Sequence, residues 1–214
     1  MPLSISAGSL ALSPSLTTYF LGVGGTAPYV YSVLAGGAGG TINPITGFYT
    51  APSVTGSDSI QVTDAASGIQ TVDILIGTPL ELFCDVIQRK MNLGQGQVYL
   101  FDQKINIPTD SRLYVAVGVT SCKPFGNSNR LNASGFEDQS ANFYSTLDIN
   151  ILSRGPEARD RKEEVILALN SIYSQQQQEQ NGFYIGKIST SFVNLSEIDG
   201  SAIPYRFVIS VALQ

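Results

Sequence analysis

The sequence predicts an all-β sandwich followed by an α+β domain, the latter a mainly antiparallel sheet with two packed helices. Three observations carry this. All twelve Lys and Arg residues lie after Gly77, and the first 77 residues hold no acids besides Asp58, Asp64 and Asp73. The same stretch contains twelve of the 21 glycines. Short β-branched and aromatic runs without a helical period fill it, whereas both helical patterns fall later. The expected division is therefore 1–77 and 78–214, with a long arm at 121–144 in the second domain.

In the first domain, Leu10, Leu12 and Leu16 precede Thr18-Tyr19-Phe20-Leu21, and Tyr29 to Leu34 is bounded by Gly-Gly pairs. Gly36-Gly37-Ala38-Gly39-Gly40 reads as a turn, because glycine reaches positive φ without a steric cost. Ser59 to Thr63 and Thr71 to Ile76 alternate with period two around a turn from Asp64 to Gly68, as hairpin strands do. Evenly spaced strands of this kind indicate an antiparallel sandwich. Gly22 to Ala27 fits a loose dinucleotide fingerprint, but that motif needs a helix N-terminus next. Pro28 and a strand follow instead, so a turn is expected.

The second domain opens on a strong helix start: Thr78 as cap, Pro79 at the first helical position, Glu81 closing a capping box. Leu80, Phe83, Cys84, Ile87 and Met91 form one apolar stripe, and Gly94 and Gly96 end it. Gln97 to Phe101 reads as a short strand, and a loop through Pro108 leads to the buried run Arg112 to Val119. From Ser121 to Tyr144 the pattern dissolves into polar, turn-rich sequence carrying Phe125, Leu131, Phe136, Phe143 and Tyr144. Loops of this length inside a compact domain are uncommon. Spaced aromatics point to an arm that docks on a neighbour, with an internal flap as the alternative. Ser145 to Leu152 alternates as a half-exposed strand. Gly155-Pro156 then opens one helix from Glu157 to about Gln177, with Val165, Leu169, Ile172 and Tyr173 as its apolar face and Gln175 to Gln178 as its polar exit. Phe183 to Leu195 and Tyr205 to Leu213 close the domain as an antiparallel pair joined at Asp199-Gly200.

Composition narrows function. A net charge of −5 lacks the basic footprint of a protein that grips nucleic acid, although an acidic surface still lets DNA slide past. Only 14% of residues are charged, against a usual value of about 25%. Surface covered by neighbouring subunits, or a Ser/Thr/Gly-rich surface, would account for this. Cys84 and Cys122, the two cysteines, fit a reducing compartment better than a disulfide scaffold, with a single bridge as the alternative. Met1-Pro2-Leu3-Ser4 has no basic n-region and no apolar run reaches spanning length, so export through a cleaved signal and membrane insertion are not expected. There is no histidine, which removes Ser-His-Asp and Cys-His nucleophiles and His-ligated metals. Asp58, Asp64 and Asp73 lack an Asp-x-Asp-x-Asp arrangement, so no metal site and no cofactor are expected. Glu163 and Glu164 point about 100° apart on a helix and do not share a site, and no enzyme activity is expected.

Two resemblances add to this. Gly40-Thr41-Ile42-Asn43-Pro44-Ile45-Thr46-Gly47-Phe48-Tyr49-Thr50-Ala51-Pro52, followed by Asp58 to Asp64, resembles bacterial and phage immunoglobulin-like repeats. Those repeats carry a Gly-x-Tyr-Thr-Ala-Pro corner before a strand ending in Val-Thr-Asp. The resemblance implies an immunoglobulin-like sandwich, a fold used for spacers, decorations and weak binders. The order helix, strand, strand, arm, strand, helix, strand, strand over 78–214 resembles the tail-terminator and neck (tail-completion) proteins of long-tailed phages. Leu113 to Val119, Leu147 to Leu152 feeding Arg154-Gly155-Pro156, the amphipathic helix and Tyr205 to Val211 carry it.

Members of that family form rings, usually hexameric, that cap the tail tube and join it to the head. The resemblance thus implies a structural virion protein assembled in the host cytoplasm and placed at the head–tail junction. Its partners would be copies of itself, tail tube or sheath proteins and head-completion or connector proteins, with genomic DNA passing through unread. Candidate interface residues are Phe125, Arg130, Leu131, Phe136, Phe143 and Tyr144 on the arm, and Arg154, Arg159, Asp160, Arg161, Glu163 and Glu164 at the second helix. A solvated helix face is the alternative for the charged group. An adhesin, receptor-binding or decoration protein using the first domain on a surface ligand is the alternative function.

Overall fold

The computed structural model describes residues 1–101, 109–131, 137–189, 191–196 and 205–214. The chain is mostly β-sheet with short helices. It divides into two compact units, Met1–Asp85 and Val86–Gln214.

The first unit holds β1 (Ser4–Ala7), β2 (Ala11–Leu12), β3 (Thr17–Val23), β4 (Val30–Val33), β5 (Thr41–Ile42), β6 (Phe48–Thr50), β7 (Gly56–Thr63) and β8 (Ile69–Ile76). They form two four-stranded sheets, ordered β1-β3-β6-β5 and β2-β8-β7-β4. Period-two alternation drives the layering. Phe20 and Tyr49 from one sheet and Tyr31, Ile60, Val62, Ile74 and Ile76 from the other share a single buried core. Phe20 meets Tyr49 edge-on with ring centroids 5.8 Å apart. Gly24 and Gly25 take positive φ in a turn before β4, so the dinucleotide-like stretch is a turn with no helix behind it.

Two carboxylates organise the loops. Asp64 accepts hydrogen bonds from the backbone N–H groups of Thr26 (2.9 Å), Ala66 (3.0 Å) and Gly68 (2.6 Å), fixing the β7–β8 turn. Asp58 is buried at 1% exposure, on the same face of β7 as Ile60 and Val62. It accepts from the Tyr49 hydroxyl (2.6 Å) and the N–H groups of Gly39 (3.0 Å) and Gly40 (2.8 Å). The glycine-rich loop therefore wraps a carboxylate, and a Cβ on Gly40 would collide with both the Tyr49 hydroxyl and Asp58.

Helix α1 (Pro79–Lys90) begins as its sequence dictates. Thr78 Oγ1 accepts from the Glu81 N–H at 3.3 Å, and Glu81 Oε2 accepts from the Thr78 N–H at 2.7 Å, a reciprocal capping box. Thr78→Ala is expected to cost about 1 kcal/mol, lowering the melting temperature by roughly 2–4 °C in a chain of this size. An unchanged melting curve would show that the cap is dispensable. Phe83, Ile87 and Met91 of the expected stripe are buried together with Leu82 and Val86, whereas Leu80 and Cys84 are half-buried.

The second unit is built on β9 (Val98–Leu100), β10 (Tyr114–Leu131), β11 (Glu137–Ser153), β12 (Ile185–Ile188), β13 (Val193–Asn194) and β14 (Tyr205–Leu213). The sheet order is β12-β14-β11-β10-β9, with β13 also on β14. β9 runs parallel to β10, and the other pairs are antiparallel. Val115, Val117, Leu147, Ile149, Ile151, Ile209 and Val211 are all buried. Gly118 lies under the Phe101 ring, where a Cβ would be only 2.7 Å from the nearest ring carbon.

The single long helix expected from Glu157 to Gln177 is instead three: α2 (Glu157–Arg161), α3 (Glu164–Leu169) and α4 (Ile172–Asn181). The physical reason for the break between α3 and α4 lies in Asn170-Ser171. Asn170 closes α3 by donating its side-chain amide to the Ile166 carbonyl at 2.9 Å. Ser171 is extended (ψ 157°) and accepts from the Ser174 N–H at 3.1 Å, a fresh N-cap. The reset rotates the helical phase, so Val165, Ala168 and Leu169 are buried while Ile172 is 74% exposed. In the glutamine run, expected as the polar exit of the helix, Gln175 and Gln176 are exposed and the other two are not. Gln177 is buried, and Gln178 Oε1 accepts from the Ile185 N–H at 2.8 Å, tying α4 to β12. The expected Asp199-Gly200 turn lies outside the described residues.

Candidate assembly surface

The described residues of the stretch expected to be a patternless loop are paired β-strand. β10 and β11 pair from Tyr114↔Leu152 to Leu131↔Glu137, with register shifts at Val119/Ser121 and Phe125/Asn127. Gly126 supplies the second shift with φ +71°, a conformation that suits an extra glycine in a bulge. β9 leaves β10 at Val117, and β14 leaves β11 at Ser145. Beyond those points the pair continues as a two-stranded ribbon with no strand on either outer edge among the described residues. Residues 121–131 and 141–144 are all exposed.

The register assigns the ribbon two faces. Val119/Leu147, Cys122/Ser145, Pro124/Phe143, Asn127/Ala141, Asn129/Gln139 and Leu131/Glu137 lie on one, in line with the buried Val115, Val117, Ile149 and Ile151. That face carries no charge before Glu137. Lys123/Tyr144, Phe125/Asn142 and Arg130 lie on the other. Phe125, Leu131, Phe143 and Tyr144 are thus exposed on a protruding ribbon, with Leu131 at 71%. Phe136 lies outside the described residues.

The charged candidates form a second, separate group at α2 and α3. Arg159 Nε donates to Asp160 Oδ1 at 2.8 Å, Lys162 pairs with Glu163 at 2.7 Å, and Arg161 NH2 donates to Glu164 Oε2 at 2.8 Å. Arg161 NH2 also donates to the Met91 carbonyl at 2.8 Å, and Glu157 Oε2 accepts from the Leu113 N–H at 3.1 Å. Arg159 additionally faces the Tyr205 ring, 5.8 Å from its centroid. These ion pairs join neighbours one and three residues apart in sequence. The hydrogen bond from Arg159 holds the Asp160 carboxyl below its ordinary range, as the one from Lys162 does for Glu163. Arg154 is half-buried. Tyr205 pairs with Ser153, nine residues along β11 from Tyr144, so the ribbon and this cluster are separated by roughly 30 Å of strand. One set of candidates becomes two sites at opposite ends of a sheet.

Chemistry is sparse. Among the described residues no group of three or more His, Cys, Asp or Glu side chains could hold a metal ion. Asp58 and Asp64 direct their oxygens to backbone donors and, for Asp58, the Tyr49 hydroxyl, which is structural work. No described helix is long and apolar enough to cross a membrane. Both cysteines are free. Burial first, then the Glu81 and Asp85 carboxylates, push the Cys84 thiol up to about 12, while Cys122 is exposed. A thiol reagent at pH 8 should therefore titrate one cysteine in the folded chain and both in denaturant. Two thiols seen only after reduction would reveal a bridge instead.

The first unit carries a feature that the sequence patterns did not single out. Tyr19, Leu21 and Val23 alternate outward along β3, and Tyr19 packs on Phe48 with centroids 4.9 Å apart. The signal was the parity of Thr18 and Phe20, whose burial turns their neighbours out. No protein-family model matches the chain, and no curated protein matches it.

Proposed function

We propose that this chain is a structural protein of a tailed-phage particle whose second unit assembles into a ring at the head–tail junction. The ribbon carries this proposal. A solitary two-stranded ribbon is marginal in water, and its open edges invite pairing. An exposed, aromatic-bearing ribbon on an otherwise well-paired sheet is suited to a neighbouring subunit. The acidic net charge suits a ring through which DNA passes without being gripped. Tail tube or sheath and head-completion proteins would meet its two faces.

The first unit fits an immunoglobulin-like module. Supporting this is the strand order, β1-β3-β6-β5 against β4-β7-β8, with β2 parallel to β8. The seven-strand constant-type sandwich orders its A-B-E-D and C-F-G strands in this way. Tyr49, in the Gly-x-Tyr-Thr-Ala-Pro corner, is the residue that locks onto Asp58.

Native mass spectrometry with negative-stain imaging of the purified chain tests the ring. A closed oligomer with a central hole is expected, and a monomer at all concentrations, including with tail tubes added, would overturn it. A decoration or surface-binding role is the second possibility, favoured by the uncharged Tyr19, Phe48, Leu21 and Val23 stripe. It predicts that Leu21→Ser abolishes binding to host cells while leaving oligomer size unchanged.

A further inference from the structure

We infer that consecutive copies join ribbon to ribbon: the outer edge of β10 over Asn127–Leu131 in one copy pairs with the outer edge of β11 in the next. The inference rests on the ring proposed above and names its seam. In a head-to-tail series each copy then contributes two strands to one continuous antiparallel barrel.

Edge length selects the partner. Among the described residues the other edge strands are short: β9 spans three residues, and β1, β4 and β12 span four each. β2 and β5 span two each. The five seam residues Asn127–Leu131 outnumber each of these edges, whereas the outer edge of β11 beyond β14 runs over Glu137–Tyr144, so among the described residues another ribbon offers an edge long enough to match them. A second copy of this chain supplies that edge.

Side-chain chemistry agrees. Asn127, Asn129 and Gln139 share a face and line an open recess together with Ala141. A primary amide carries both donor and acceptor, so amides on identical neighbours satisfy one another, and ladders of Asn and Gln form in stacked strands for this reason. Nearer the sheet, Pro124 withholds an N–H and Lys123 adds a charge, two features that discourage edge pairing. The seam is accordingly placed beyond Gly126.

Polarity follows from the count of edges. Pairing β10 with β10 about a two-fold axis would leave both β11 edges bare. Pairing β10 with β11 leaves no edge once the series closes, and a repeated heterologous contact makes a ring when its rotation closes and a filament when it does not.

Single-cysteine variants in a C84A/C122S background test this. Differently tagged chains carrying N127C or N129C are co-expressed with chains carrying Q139C or A141C, then oxidised. Disulfide-linked heterodimers are expected from at least one pairing, with none from N142C, which faces the other way, and none from any variant alone. Cross-linking of N129C with itself, or equal cross-linking through N142C, would overturn the seam. So would a ring of intact size in which no pairing cross-links, and that result would leave the ring standing. A chain that stays monomeric throughout overturns the ring and the seam together.

Discussion

Asp58→Ala should destabilise the first unit by about 3 kcal/mol, because three donors lose their acceptor inside a closed core. The Tyr49 hydroxyl and the Gly39 and Gly40 N–H groups all point at this one carboxylate. Burial alone would raise the Asp58 pKa. The hydrogen bonds from the Tyr49 hydroxyl and the N–H groups of Gly39 and Gly40 outweigh it and hold the carboxyl below its ordinary value. The sign of the pH dependence follows. A carboxyl depressed in the folded state contributes stability above its unfolded pKa of about 3.9, and loses it as pH falls through the folded value. Asp58→Asn keeps the shape and removes the charge. Urea unfolding should show a wide gap between native chain and Asp58→Asn at pH 7 that narrows below about pH 4. A gap of the same size at pH 3 would show that the charge contributes nothing. Tyr49→Phe should cost less, about 1 kcal/mol, because the backbone donors remain.

Removing the ribbon should have the opposite profile: little loss of stability and complete loss of assembly. Lys123 and Tyr144 already face each other, so replacing residues 124–143 with an Asn-Gly turn closes the hairpin at its base. Residues 124–131, 137, 139 and 141–143 are exposed, and the buried pairs from Val115↔Ile151 to Val117↔Ile149 stay intact. The melting temperature should shift by no more than a few degrees, as substitutions away from a core do. Native mass spectrometry of the shortened chain should find monomers where the full chain forms rings. A shortened chain that still closes into rings would place the subunit contacts elsewhere, with the α2–α3 charge cluster the next site to test.

Several elements were legible because local chemistry alone dictates them. Thr78, Pro79 and Glu81 specify a helix start through bonds reaching three residues. The parity of β7 and β8 follows from the alternation of Ile60, Val62, Ile74 and Ile76. That same parity places Asp58 inward, a signal present in the sequence and easily missed, since an acid beside glycines looks like a loop residue. The helix break at Asn170-Ser171 is similar: both are capping residues, yet the apolar spacing across them still reads as one continuous helix.

The ribbon was not legible for a different reason. Its residues are Ser, Asn, Gly and Lys with scattered aromatics, and period-two patterning exists only when one face of a strand is buried and the other wet. Here both faces are exposed, so there is no contrast to read. Backbone pairing with the partner strand, begun in the buried Val115–Val117 segment and carried outward in register, makes these residues a ribbon. The sequence by itself determined where the composition breaks, how α1 begins and which strands alternate, because those depend on neighbours along the chain. Tertiary structure alone decided that the glycine-rich loop wraps Asp58 and that the described residues of the arm form a ribbon with no described strand on either outer edge. Those outcomes depend on hydrogen-bond partners distant in sequence, which local spacing does not encode.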